Sequence, residues 1–90
     1  MICESPEQLY NHFKPHEEVL RDIALFKEFF DVGNAMKNPG TCQCAMKSLG
    51  NRFVIVYNAL GRIDETAKNI VKKISPELQL KFNGNVFLTI

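Results

Sequence analysis

The stretch from Leu78 to Ile90, LQLKFNGNVFLTI, constrains the fold more than any other. Leu78, Leu80 and Phe82 alternate with Gln79 and Lys81, and Val86, Leu88 and Ile90 alternate with Phe87 and Thr89. Alternation with period two is the pattern of half-buried strands, and Asn-Gly between two such runs is a hairpin signal. The loop length decides which side chains share a face, because a one-residue slip reverses the face. A three-residue loop, Asn83-Gly84-Asn85, pairs Phe82 with Val86, Leu80 with Leu88 and Leu78 with Ile90. It therefore puts all six apolar side chains on one side, and it is the register expected. An isolated hairpin is marginal in water, so it must lie against something else.

The remainder of the chain reads as helix. Ser5-Pro6-Glu7-Gln8 carries a cap, a first-turn proline and a capping-box glutamine, with Leu9 and Phe13 on one face. Pro15 interrupts and suits the start of a second helix, whose Val19, Leu20, Ile23, Phe26, Phe29 and Phe30 recur at helical spacing. This helix is expected over residues 15–31, with Gly33 as its stop and residues 33–40 as a loop turning at Pro39-Gly40. Thr41 is the expected cap of a third helix. Cys42, Met46, Leu49, Phe53, Val56, Tyr57 and Leu60 form its stripe over about five turns, and Gly61 ends it. FVIVY at 53–57 is rich in strand formers, but the spacing favours helix. Asp64 caps a fourth helix, lined by Ile63, Ala67, Ile70, Val71 and Ile74 and stopped by Ser75-Pro76. The expected fold is a small, mainly helical α+β domain, residues 1–90, with four helices and a C-terminal β-hairpin.

Ninety residues suit one domain with a modest core. The charges nearly cancel but are unevenly placed. Residues 1–36 carry seven acids against Lys14, Arg21 and Lys27, while residues 37–90 carry eight Lys and Arg against three acids. The two halves can attract each other within the fold or between copies. Met1-Ile2-Cys3-Glu4 opens with no basic start or apolar run, and no stretch approaches the roughly 18 apolar residues of a membrane span. An odd cysteine count does not suggest a secreted disulfide framework. The expectation is a protein that is intracellular and soluble, or held within a large assembly such as a virion, with reduced thiols and no membrane contact.

The cysteines raise the question of metal. Cys3, Cys42, Cys44 and His16 are the candidates, with His12 nearby in sequence, but no Cys-x-x-Cys spacing occurs. If Thr41 caps the helix, Cys42 and Cys44 lie about 200° apart around its axis and cannot serve one ion. They converge only if that segment is still loop. The simpler reading puts Cys42 in the core and leaves Cys44 outside. A first-turn thiol at Cys44 has a lowered pKa, but no second cysteine stands at a redox-motif spacing. Neither a metal nor a cofactor is expected.

No nucleophile elbow, phosphate loop or HExxH occurs, so catalysis is not expected. Two kinds of binding remain. Val54 and Ile55 point away from the stripe of their helix, Phe87 falls on the hairpin face opposite the expected core, and Phe29 and Phe30 cannot both point inward on one face. Large apolar groups in excess of the core mark contact surfaces. The leading expectation is a non-enzymatic interaction or assembly subunit, homo- or hetero-oligomeric, docking other protein chains through Val54, Ile55 and Phe87. The alternative follows from element order. Helices followed by a hairpin resemble a winged helix, and Arg62, Lys68, Asn69, Lys72 and Lys73 on the outer side of 64–74 suit phosphates and base edges.

Overall fold

The computed structural model describes residues 1–90. It is an α+β fold in which the helices lie between a short first strand and a C-terminal hairpin, all three strands forming one sheet. Strand β1 (Ile2–Cys3) precedes α1 (Pro6–Phe13), a 3₁₀ turn (Lys14–His16) and the single-turn α2 (Glu17–Leu20). Then come α3 (Ala24–Lys37), α4 (Gln43–Ala59), a 3₁₀ turn (Leu60–Arg62), α5 (Glu65–Ile74), β2 (Gln79–Phe82) and β3 (Asn85–Thr89).

The expected caps of α1 and α5 form. Ser5 Oγ accepts from the Gln8 N–H at 3.2 Å, and Gln8 Oε1 in turn accepts from the Glu4 N–H at 2.7 Å. Asp64 Oδ1 accepts from the Ala67 N–H at 2.8 Å. Residues 53–57 are helical, as the spacing requires.

The expected helix over 15–31 is instead broken at residues 21–23 and resumes as α3, which runs through Gly33 to Lys37. Leu20 and Phe29 are both fully buried. Nine residues apart on one straight helix, they would point about 180° away from each other. The break, with Ile23 extended at φ −93°, ψ 118°, turns both toward one core.

Gly33 is not a stop but a contact. A Cβ there would lie 2.5 Å from the Tyr10 ring and 3.3 Å from Phe53, so α1, α3 and α4 meet at a residue without a side chain. Phe29 and Phe30, which cannot point the same way, are nevertheless both fully buried, because α3 is covered on two sides. Phe29 stacks on Phe53 of α4 with centroids 4.7 Å apart, and Phe30 lies 5.9 Å from Tyr10 of α1.

Only residues 38–42 remain as the connection to α4. The expected turn at Pro39-Gly40 forms: the Thr41 N–H donates to the Asn38 carbonyl at 3.1 Å, and Asn38 Oδ1 accepts from the Gly40 N–H at 2.9 Å. Thr41 does not cap; its hydroxyl donates to the Ala35 carbonyl at 2.7 Å, and the N-cap position falls to Cys42.

The hairpin slips in the strand rather than in the loop. Asn83 and Gly84, at φ 52° and 80°, make a two-residue turn of the type that matches strand twist. Phe82 therefore faces Asn85, and Lys81 faces Val86, in place of the expected Phe82–Val86 pair. A bulge then leaves Phe87 as the extra residue and restores Leu80 opposite Leu88. The Ile90 N–H donates to the Leu78 carbonyl at 2.9 Å. Val86 is consequently exposed, at 49%, while Phe87 turns inward to within 5.3 Å of Tyr57, centroid to centroid.

β1, which the sequence pattern does not reveal, pairs parallel with β2, Ile2 with Gln79 and Cys3 with Leu80. The sheet order is β1-β2-β3. Cys3, Leu80 and Leu88 form its buried row, and one cluster of 20 buried residues joins sheet and helices.

Gly33→Ala should destabilise the protein by about 1–3 kcal/mol, since the Tyr10 ring that it meets is itself held by a hydrogen bond to Asn34. Gly50→Ala, with open space at its Cβ inside α4, should stabilise by about 0.5–1 kcal/mol. Urea unfolding midpoints of the two variants, read against the parent, check both signs.

Candidate functional site

The expected docking residues separate. Ile55 is 56% exposed on the outer side of α4, and with Asn58, Ala59 and Arg62 it lines a shallow depression. Val54 is half-buried. Phe87 is half-buried: it packs edge-on against Tyr57 and fills the space above Gly61, where a Cβ would come within 2.5 Å of its ring. The bulge is the reason, because it rotates Phe87 out of the alternation that would have faced it to solvent. Val86 takes its place as the exposed large apolar side chain of β3.

β3 lies at the edge of the sheet, and its sequence, NVFLT, contains neither charge nor proline. Such edges are templates for pairing with another chain, and the bulge is the one common protection that this one carries. At the opposite edge β1 is two residues long.

The basic residues of the alternative reading line the outside of α5. Arg62, Asn69, Lys72 and Lys73 are exposed and form no ion pair, while Lys68 is half-buried and 3.7 Å from Glu65. The element order departs from helices followed by a wing, since β1 adds a parallel strand beside β2.

The thiols do not lie where a helix beginning at Thr41 would put them. Cys42 is extended, φ −74°, ψ 158°, and Cys44 is in the first turn of α4. The two sulfurs converge to 2.6 Å, and both residues are exposed, whereas Cys42 was expected in the core. The hydrogen bond from Cys44, with the Ala45 N–H beside it, holds the Cys42 thiol below its ordinary pKa. Cys3 is buried, and burial pushes its thiol up to about 11. His16 is exposed at the start of α2. His12 packs edge-on against Phe13, and its pKa is lowered first by burial and then by the neighbouring positive groups. Nowhere do three or more His, Cys, Asp or Glu side chains gather in a metal-binding cluster.

One polar cluster escaped the sequence reading. Glu17 accepts from Lys14 at 2.5 Å, from Arg21 at 3.0 Å and from Asn34 at 3.2 Å. Arg21 also reaches Asp31 at 2.6 Å, and Asn34 Oδ1 accepts from Lys14 and from the Tyr10 hydroxyl. The i,i+3 and i,i+4 spacing of Lys14, Glu17 and Arg21 was available as a signal, but the links to Asp31 and Asn34 depend on the break at 21–23. Each member has a partner, so the cluster fastens α2 to α3 and leaves no free base. Farther along the surface, Lys37 binds Glu7 at 2.5 Å and Arg52 binds Glu28, joining the acidic and basic halves within one chain.

No family model, no curated protein and no solved structure matches this chain. No helix is long and apolar enough to cross a membrane.

The hydrogen bond from Lys14 acts most strongly on the Glu17 carboxyl; burial opposes it, and the Asn34 hydrogen bond with the charges of Lys14 and Arg21 leaves the pKa below its ordinary value. A carboxyl depressed in the folded state adds stability that is full above its unfolded pKa, about 4.3, and is lost as pH falls through the folded value. Glu17→Gln should therefore lower the urea midpoint at neutral pH and flatten the acid limb below about pH 4.3. Midpoints measured at a series of pH values for both proteins check this.

Proposed function

We propose that the chain is a non-enzymatic interaction subunit that docks other protein chains within a larger assembly. The observation that carries this reading is the outer surface of α4, where Ile55 stands 56% exposed in a depression rimmed by Asn58 and Arg62. A large aliphatic group with a polar surround is the arrangement of an interface anchor, and truncating such an anchor removes far more binding energy than truncating the rim. The uncharged edge of β3, with Val86 exposed, offers a second means of attachment by strand addition. Phe87 contributes less to such a surface, because its half-buried ring packs against Tyr57.

Native mass spectrometry and size-exclusion chromatography test the reading. Ile55→Glu and Val86→Glu should abolish the oligomer, or the complex with the partner, while thermal unfolding stays within about 0.5 kcal/mol of the parent, as for other surface changes. Phe87→Glu should instead unfold the monomer. A monomeric parent that retains no partner on purification would count against this function.

A second reading rests on the four exposed and unpaired polar groups of the α5 side, Arg62, Asn69, Lys72 and Lys73. Nucleic-acid binding through this face gains affinity mainly from phosphate contacts and weakens with salt. A gel shift at low salt that Lys72→Glu with Lys73→Glu abolishes would favour it over protein docking, and no shift at low salt would remove it.

A further inference from the structure

The two sulfurs at the start of α4 form a pair that the docking reading does not use. Cys42 and Cys44 are both exposed, and their sulfurs touch at 2.6 Å. This contact follows from where the helix begins. Because Thr41 is tied back to the Ala35 carbonyl, the N-cap falls on Cys42, which is extended and folds its thiol over the first turn toward Cys44. Were the helix to start one residue earlier, the same two side chains would point away from each other.

A shared metal ion is the poorer occupant. Zinc–thiolate bonds of about 2.3 Å in a tetrahedron hold two sulfurs well over 3 Å apart, and no third ligand of the His, Cys, Asp or Glu type stands nearby. Sulfurs already in contact lie within reach of a bond of about 2.05 Å. The third thiol, Cys3, is buried among the sheet residues and cannot serve as the partner of either.

We propose that Cys42 and Cys44 form a thiol–disulfide exchange site for small, accessible disulfides of the glutathione class. Cys42 attacks as thiolate, its proton passing to solvent. Its sulfur bonds to one sulfur of the small disulfide, whose S–S bond breaks and whose other half leaves as a thiolate. Cys44, deprotonated in turn, attacks the Cys42 sulfur and expels the second half. The two protein thiols are oxidised to one disulfide, the small disulfide is reduced to two thiols, and the two protons released match the two thiolates expelled. An excess of the small thiol drives the same steps backward. A ring closed between residues two apart is strained, which raises its reduction potential and makes it labile rather than structural. The lowered pKa of Cys42 fits the role of attacking group, and burial of Cys3 fits its staying inert.

The test is peptide mapping after exposure to oxidised glutathione. Trypsin releases both cysteines in one peptide, between Lys37 and Lys47, and Cys3 in another. The expected product is a 38–47 peptide that has lost two hydrogen atoms, carries no glutathione and reverts with reduced glutathione, while Cys3 stays unmodified. Cys44→Ser should trap glutathione on Cys42, and Cys42→Ser should form the adduct on Cys44 at least severalfold more slowly. Persistent glutathione adducts on the parent peptide would overturn the proposal. So would a peptide left fully reduced while Cys44→Ser accepts glutathione, or equal adduct rates in the two variants.

Discussion

The Tyr57 hydroxyl holds the sheet to the helices. It is fully buried on α4, and its oxygen lies 2.8 Å from two backbone carbonyls, those of Cys3 on β1 and Lys81 on β2. With one proton to donate, it serves either acceptor or shares between them. Burial pushes its pKa up to about 12, so it stays a neutral donor throughout the range in which the protein is handled. Its ring stands edge-on between Phe82 and Phe87, one from each strand of the hairpin. A single side chain thus reaches backbone carbonyls on two strands and packs against Phe87 of the third.

The helical part is organised around a different constraint, the close approach at Gly33. With no side chain there, α1 can bring Tyr10 onto α3, and Phe53 of α4 closes the contact from the other side. The aromatic rings then continue from Tyr10 through Phe30, Phe26 and Phe13, with edge-on and tilted geometries worth about 0.5–1.5 kcal/mol per pair beyond their buried area. The Glu17 cluster sits over this core at the surface and fixes the path of the chain around the break at 21–23. Exposed ion pairs of this kind contribute little individually, about 0–1 kcal/mol, so their effect lies in where α2 sits.

What the sequence conveys follows from what is local. The Ser5 and Asp64 caps, the helical nature of 53–57 and the hairpin were all legible, because each depends on residues three or four apart or on one turn. The misreadings share a cause in packing partners distant along the chain. Gly33 looks like a helix stop until Tyr10 and Phe53 are seen to need its space. The three-residue loop looks necessary for a one-sided hairpin until Phe87 is allowed to bulge toward Tyr57 and Gly61. Two residues of β1 carry no periodicity at all; only their partner strand defines them. The thiol pair turned on one position, the N-cap: composition favours Thr41, whose hydroxyl is instead taken by the Ala35 carbonyl, and the position falls to Cys42. Of the docking residues only Ile55 is exposed: Val54, its neighbour on α4, is half-buried, and the strand bulge turns Phe87 toward Tyr57.

The parallel pairing of β1 with β2 also bears on the order in which the molecule assembles. Met1 contacts Glu77 across 76 positions of chain, and Cys3 reaches Tyr57 across 54. Closing such long loops is entropically unfavourable until many other contacts already hold the ends close, whereas α3 and α4, joined by a short connection, can pair early. During synthesis, β1 emerges well before β2, the strand with which it pairs. β1 therefore stays unpaired until β2 has been made, and loop-closure entropy sets its parallel pairing later than the local hairpin of β2 and β3.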